Sequence, residues 1–280
     1  FTLTVNAVND APTDLALNST SVNENSEIGT TVGTLSTTDV DSDDSHSYTL
    51  VSGDGDTDNA SFTINGINLN TDDLFNYETK PSYAIRIQTT DSESAIYAEA
   101  ISITVTDMND APVLAGIPNQ IVNEDMAKTV MLTASDEDGD FLVFSANPDT
   151  TAIIVEIADG TLTLTPADNW NGTADITVTV TDDGAGMLTD SETFTLTVNA
   201  VNDNPVLTSI GSQSTNEDTA KVVTLSATDI ENDGLTFTAN SAETNVTATV
   251  EGTSLTLTPA DNWNGTADIT VTVTDDGAGM

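Results

Sequence analysis

The 280-residue chain has no cysteine, one histidine and four basic residues, and aromatic side chains make up only 5 % of it. Each shortage removes a class of function. Without thiols there is no disulfide scaffold, zinc ribbon, thiol catalysis or cysteine-held iron–sulfur cluster. Four Lys and Arg against 46 Asp and Glu give a net charge of -42, which repels phosphate backbones and anionic headgroups. Nucleic acid and direct membrane contact are therefore excluded as expected partners. No run of eighteen apolar residues is present, and the opening FTLTVNAVND is not a signal peptide, so the chain reads as an internal piece of a longer protein. Cations are the partners such a composition favours.

What is abundant is repetition. Residues 162–187, LTLTPADNWNGTADITVTVTDDGAGM, recur unchanged at 255–280, a spacing of 93 residues, and NEDMAKTVML at 123–132 aligns with NEDTAKVVTL at 216–225. The opening FTLTVNAVND reappears at 194–203. Three boundaries, VNDAP at 8–12, MNDAP at 108–112 and VNDNP at 201–205, end on a proline that forces its predecessor out of helix. The expected organisation is the last strand of a preceding module at 1–10, full modules at 11–108 and 109–203, and a third at 204–280 without its last strand.

Within modules the period is two. FTLTVN, ISITVTD, DITVTVTD and TLTLTP alternate Thr with Leu, Ile, Val or Phe, the pattern of strands with one buried face. Asn65-Gly66, Asp159-Gly160 and Glu251-Gly252 mark hairpin turns, the first two with type I′ chemistry. No segment carries sustained helical periodicity. Short strands with frequent turn signals predict an all-β chain of tandem β-sandwich domains in an extended array.

The acids sit at strand ends and in loops: an Asn-Glu start (Glu24, Glu124, Glu217), a close pair (Asp39 and Asp41, Asp136 and Asp138, Asp229 and Glu231), an Asp after the penultimate strand (Asp91, Asp182, Asp275) and an Asn-Asp linker (Asn9 and Asp10, Asn109 and Asp110, Asn202 and Asp203). Hard divalent cations want about six to eight oxygens from such groups, so calcium is the expected cofactor and magnesium a poorer fit. Only His46 offers nitrogen, which argues against zinc. The acidic run from Asp54 is not an EF-hand loop, because Asn59 stands where glycine is needed and Asn65 where glutamate is needed.

The first module, from VNENSEIGTTVGTLSTTDVDSDD through FNYETKPSYAIRIQTTDSES to VTDMNDAP, resembles a bacterial cadherin repeat, and the later ones are similar to cadherin-like tandem repeats of large surface proteins. The resemblance implies seven-stranded Greek-key sandwiches with calcium held at each junction. Carried over, the junction at 107–112 uses Glu24, Glu78, Asn109, Asp110, Asp136, Asp138 and Asp182, with the carbonyls of Met108 and Ala111, and Asn76 standing where the family has Asp. The junction at 199–205 uses Glu124, Asn202, Asp203, Asp229, Glu231 and Asp275, with Asp168 as the substitute for a lost element. Asn9, Asp10, Asp39, Asp41 and Asp91 form half a site.

The function these features imply is a calcium-rigidified extender or adhesion segment of a large bacterial cell-surface or secreted protein, extracellular and without enzymatic activity. Its partners are calcium, neighbouring modules of the same chain, and like subunits or cell-surface and glycan ligands. Two alternatives stand beside it. One is a self-assembling filament or sheath subunit, completed by strand donation from residues 1–10; the other is a carbohydrate-binding module of an exported enzyme. Trp170 and Trp263, the candidate sugar platforms, read more simply as core or corner residues, and His46 as solvent-exposed.

Overall fold

A computed structural model describes residues 1–6 and 8–277. Among them strands dominate, the one helical feature is a 3-10 turn at Asn59–Ser61, and no helix is long and apolar enough to cross a membrane. The chain divides into two compact units. The first comprises Phe1–Leu114, Ala134–Val143 and Val180–Asp190; the second comprises Ala115–Thr133, Phe144–Thr179 and Ser191–Met280.

The first module supplies β1 (Asp14–Leu17), β2 (Ser21–Asn23), β3 (Thr31–Thr38), β4 (Ser47–Leu50), β5 (Phe62–Asn65), β6 (Asn68–Thr71), β7 (Ser82–Thr90) and β8 (Ile96–Thr106). The second supplies β9 (Val113–Leu114), β10 (Gln120–Asn123), β11 (Lys128–Met131), β12 (Ala134–Ser135), β13 (Val143–Pro148), β14 (Ile153–Ala158), β15 (Thr161–Pro166), β16 (Gly172–Thr181) and β17 (Thr189–Asn199). The third supplies β18 (Val206–Leu207), β19 (Lys221–Thr224), β20 (Ala227–Thr228), β21 (Thr236–Ser241), β22 (Val246–Glu251), β23 (Ser254–Pro259) and β24 (Ile269–Thr274).

In the first unit, sheets β1-β3-β6-β5 and β2-β8-β7-β4 face each other over one core, and β9 pairs with β12. The alternating strands turn Leu15, Val32, Leu35, Leu69, Ile85, Ile87, Ile103 and Val105 inward, while the threonines between them mostly stay at the surface. Phe62, Phe75 and Tyr83 close one end of this core, the last two with ring centroids 4.4 Å apart. Lys80 lies over the Tyr83 ring and pairs with Asp58, whose other oxygen accepts the Ala84 N–H. The acidic run from Asp54, set aside as a calcium loop, thus anchors a strand through Asp58.

In the second unit the sheets are β10-β17-β16-β13, β11-β15-β14, β18-β20, β19-β23-β22 and β21-β24. The last strand of a repeat lies between its neighbours, with β17 pairing parallel to β10, just as β8 pairs parallel to β2 in the first unit. Phe194, Leu196 and Val198 of β17 are 2 %, 0 % and 3 % exposed, so this strand completes a core.

The turns correct one expectation. Asp159 and Gly160 both have positive φ (49° and 73°), as a type I′ turn requires. Asn65 does not; it pairs with Asn68, so the central residues are Gly66 and Ile67, with the positive φ of 63° at Gly66 alone. That is the pattern of a turn with glycine in its first central position.

Candidate metal centres

The linkers fold by one rule used three times. The asparagine amide donates to the aspartate that follows the penultimate strand: Asn9 to Asp91 at 3.0 Å, Asn109 to Asp182 at 3.1 Å, Asn202 to Asp275 at 3.0 Å. The next backbone N–H donates to the second acid of the close pair: Asp10 to Asp41 and Asp110 to Asp138, each at 2.7 Å, and Asp203 to Glu231 at 3.2 Å. Glu231 therefore takes the place of an aspartate with its longer side chain.

In the first unit, Glu24 is 3 % exposed and its two oxygens accept the N–H groups of Tyr77 (2.6 Å) and Met108 (2.7 Å), fastening the linker to the base of the first module. Asp182, equally buried, accepts from Gly184 N, Leu188 N and Asn109. Around these anchors carboxylate oxygens gather in three sets, each within 4.8 Å: Glu24, Glu78 and Asp110; Glu78, Asp107 and Asp138; Asp136, Asp138 and Asp140. One buried oxygen each of Asp110 and Asp136 has no hydrogen-bond partner. Gly184 packs so tightly that a Cβ there would overlap the Asn109 side-chain oxygen and the Asp140 carboxylate. Asn76 is turned away, accepting from Thr79 N and donating to Glu137.

The second unit repeats the plan. Glu124, 2 % exposed, accepts the Val201 N–H and reaches Asn171 at 3.5 Å. Asp229, Glu231 and Asp233 bring their oxygens within 4.8 Å, and Asp203, Asp229 and Asn202 each hold a buried oxygen without a partner. A Cβ at Gly277 would overlap Asn202 and Asp233. Asp168 is exposed and joins no acid cluster among the described residues, while the Asn171 amide reaches Glu124.

The half-site places Asp39, Asp44 and Asp91 together, and Asp44 too has a buried oxygen without a partner. His46 is not solvent-exposed as expected. Its side chain is only 14 % exposed, with Nε2 3.2 Å from Asp39, because the loop folds it back onto the acid seven residues before it.

Sequence reasoning missed Asp140, Asp233, Asp107 and Asp44. For the first two the signal is present: DEDGD at 136–140 and DIEND at 229–233 both have acids at their first, third and fifth places, and the fifth of each was passed over.

The metal-free charges repel. Burial, then neighbouring carboxylates, pushes Asp107, Asp110, Asp140, Asp203 and Asp233 up from the ordinary aspartate value of 3.8. Asp39 is held down by the Asp41 N–H and then His46, and Asp91 by the Asn9 amide. The raised groups bind more protons folded than unfolded, so without metal their effect on stability worsens as pH rises through their folded values. The lowered groups contribute stability above 3.8 that is lost as pH falls through theirs. In EGTA, the melting temperature is expected to rise on acidification from pH 7 toward the carboxylate range and to fall below it. A monotonic fall from neutrality would contradict this.

The donor set is all oxygen, with buried lone pairs unsatisfied and no room for a side chain at Gly184 or Gly277, which fits a hard divalent cation. Residues 108–199 match the cadherin-like domain family and residues 202–280 the bacterial Ig domain family. The chain thus holds a cadherin-like domain and a bacterial Ig domain in tandem. Both descriptions fall on repeats that share the sequence at 162–187 and 255–280, so they name closely similar sandwiches. No curated protein matches the array in sequence. In fold it is similar to the protocadherin gamma B7 EC3-6 cis-dimer structure, at 19 % identity over 96 % of this chain and 70 % of that one (TM-score 0.56). It is also similar to protocadherin gamma B2 extracellular cadherin domains 1-5, at 17 % identity over 92 % and 55 % (TM-score 0.54). Human protocadherin-24 EC1-2 is a third, at 18 % identity over 68 % and 100 % (TM-score 0.52). The array thus spans about half the length of the longer ectodomains it matches, 55 % in the gamma B2 case.

Proposed function

We propose that the array is a calcium-stiffened extender or adhesion segment of a large exported surface protein, without catalytic activity. One observation carries the reading. Among the described residues, every buried side-chain oxygen or nitrogen left without a hydrogen bond (on Asp44, Asp110, Asp136, Asn202, Asp203 and Asp229) lies in the linker-associated acid clusters. Leaving such groups unsatisfied is costly, so the clusters are built for something the polypeptide does not supply.

A bound divalent cation supplies the positive charge that these oxygens converge on. Asp110, Asp136, Asp138, Asp140, Glu78 and Glu24 would hold it in the first unit, and Asp203, Asp229, Glu231, Asp233, Asn202 and Glu124 in the second. The chain's own part is to bring four segments to one place: the end of β2, the linker, and the loops at 136–140 and 182–184. Glu24 accepts the Met108 N–H and Asp182 the Asn109 side-chain amide, which aligns the linker for a cation, while without one the clustered charges repel and loosen it. Charge then acts as a lock on the linker rather than as a repulsive surface.

Calorimetric titration of calcium and of magnesium into EGTA-stripped protein, with limited proteolysis in parallel, tests the reading. Calcium is expected to bind with release of the linkers 107–112 and 200–205 from cleavage, and magnesium to bind far more weakly. Unchanged cleavage with saturating calcium, or no calcium uptake, would overturn it.

A further inference from the structure

Glu24 and Glu124 anchor their linkers alike but differ in one partner. Glu24 takes the Met108 N–H on one oxygen and the Tyr77 N–H on the other, whereas Glu124 takes the Val201 N–H on one and the Asn171 side-chain amide, at 3.5 Å, on the other. A backbone donor is permanent; a side-chain amide can be lost. The first unit also sets Glu78 beside Glu24 and Asp110, while among the described residues no such trio of acids includes Glu124.

Asn171 precedes a glycine that the fold requires. Gly172 has a φ of 143°, a conformation other residues rarely adopt, and a Cβ there would lie 3.3 Å from the Trp170 ring. Asparagine is thermolabile, and before glycine, which has no side chain to hinder the approach, its Cγ is open to the next backbone nitrogen. Asn171 is exposed, so water reaches it.

We propose that Asn171 is a deamidation site, and that its conversion gives the second unit the carboxylate that Glu78 gives the first. The Gly172 nitrogen, having lost its proton to hydroxide, bonds to Asn171 Cγ; the Cγ–Nδ2 bond breaks, and the nitrogen leaves as ammonia with a proton from water. Water then opens the five-membered imide at either carbonyl, leaving aspartate or isoaspartate. Both products exchange the amide facing Glu124 for a negative charge. Without a cation the change removes a hydrogen bond and adds repulsion beside a buried carboxylate. With a divalent cation, on the function proposed above, it adds a charged oxygen ligand, so the second unit tightens with age.

Ageing the chain in EGTA at mildly alkaline pH, followed by tandem mass spectrometry, tests the conversion. Cleavage after Arg86, Lys128 and Lys221 puts Asn65, Asn171 and Asn264, the three asparagines that precede glycine, in separate peptides. Ageing is continued until Asn65, on an exposed hairpin, has become an acid. Asn171 is expected to have converted as well, and an Asn171 that is still an amide then overturns the proposal. Calorimetry on Asn171→Asp reads the consequence: calcium uptake about tenfold tighter at one site, and a lower melting temperature than the wild type in EGTA. Aged wild type should approach that variant, and aged Asn171→Gln, which closes such a ring far more slowly, should not. Uptake by Asn171→Asp no tighter than the wild type's overturns the gain of a ligand. A wild type that takes up no calcium overturns the calcium reading instead, and the mass of the aged peptide still decides the conversion.

Discussion

In EGTA, Asp140→Asn is expected to melt above the wild type, and in saturating calcium to melt below it. The Asp140 carboxylate lies within 4.8 Å of oxygens from Asp136 and Asp138, and burial followed by the charges of Asp136, Asp183, Asp138 and Asp182 pushes its pKa up. Ionised at neutral pH, it opposes folding, and an isosteric amide removes that opposition. On the proposed reading the same charge would serve as a ligand once a cation is bound, and its loss is expected to weaken binding about tenfold or more, since calcium affinity in oxygen cages follows the count of charged ligands. Paired calorimetric scans with and without EGTA read both signs. The same order of melting in both buffers would show that Asp140 does not face the cation.

Glu24→Gln is expected to behave in the opposite sense, lowering stability by about 2–3 kcal/mol with or without calcium, the cost of a buried donor left unpaired beside a carboxylate. Both Glu24 oxygens accept backbone N–H groups, from Tyr77 and Met108, at a site only 3 % exposed. An amide has one acceptor and would turn its NH2 toward a donor. Glu137→Gln is the control: Glu137 is exposed and touches only the Asn76 amide among the bonds described, so little change is expected. Urea midpoints at constant slope measure the difference. A Glu24→Gln protein as stable as the wild type in EGTA would mean that relief of repulsion outweighs the lost hydrogen bonds. Two carboxylates of neighbouring clusters thus have opposite structural signs, since Glu24 holds backbone and Asp140 does not.

The sequence carries the strand alternation, the repeat and the three linker motifs openly, because a period of two and an Asn-Asp-Pro-like boundary are local patterns. It also points to Asp136, Asp138, Asp229 and Glu231, which the fold brings beside Asp110 and Asp203. What was not legible depends on contacts remote in sequence. Asp107 reads as a strand end, yet it shares a cluster with Glu78 and Asp138; His46 reads as a loop residue, yet it packs on Asp39. Nor do the local surroundings of Asn76, which accepts the Thr79 N–H, and of exposed Asp168 follow from their positions in the motif.

The place of β17 also sets a timetable. It is the last strand of its repeat to be synthesised, but it lies inside its sheet between β10 and β16, and its Phe194, Leu196 and Val198 fill the core. A repeat emerging from a ribosome or an export channel therefore cannot close until its final segment is free, and its slow, non-local pairing waits on that moment. Each sandwich stays threadable for as long as its last strand is still in transit.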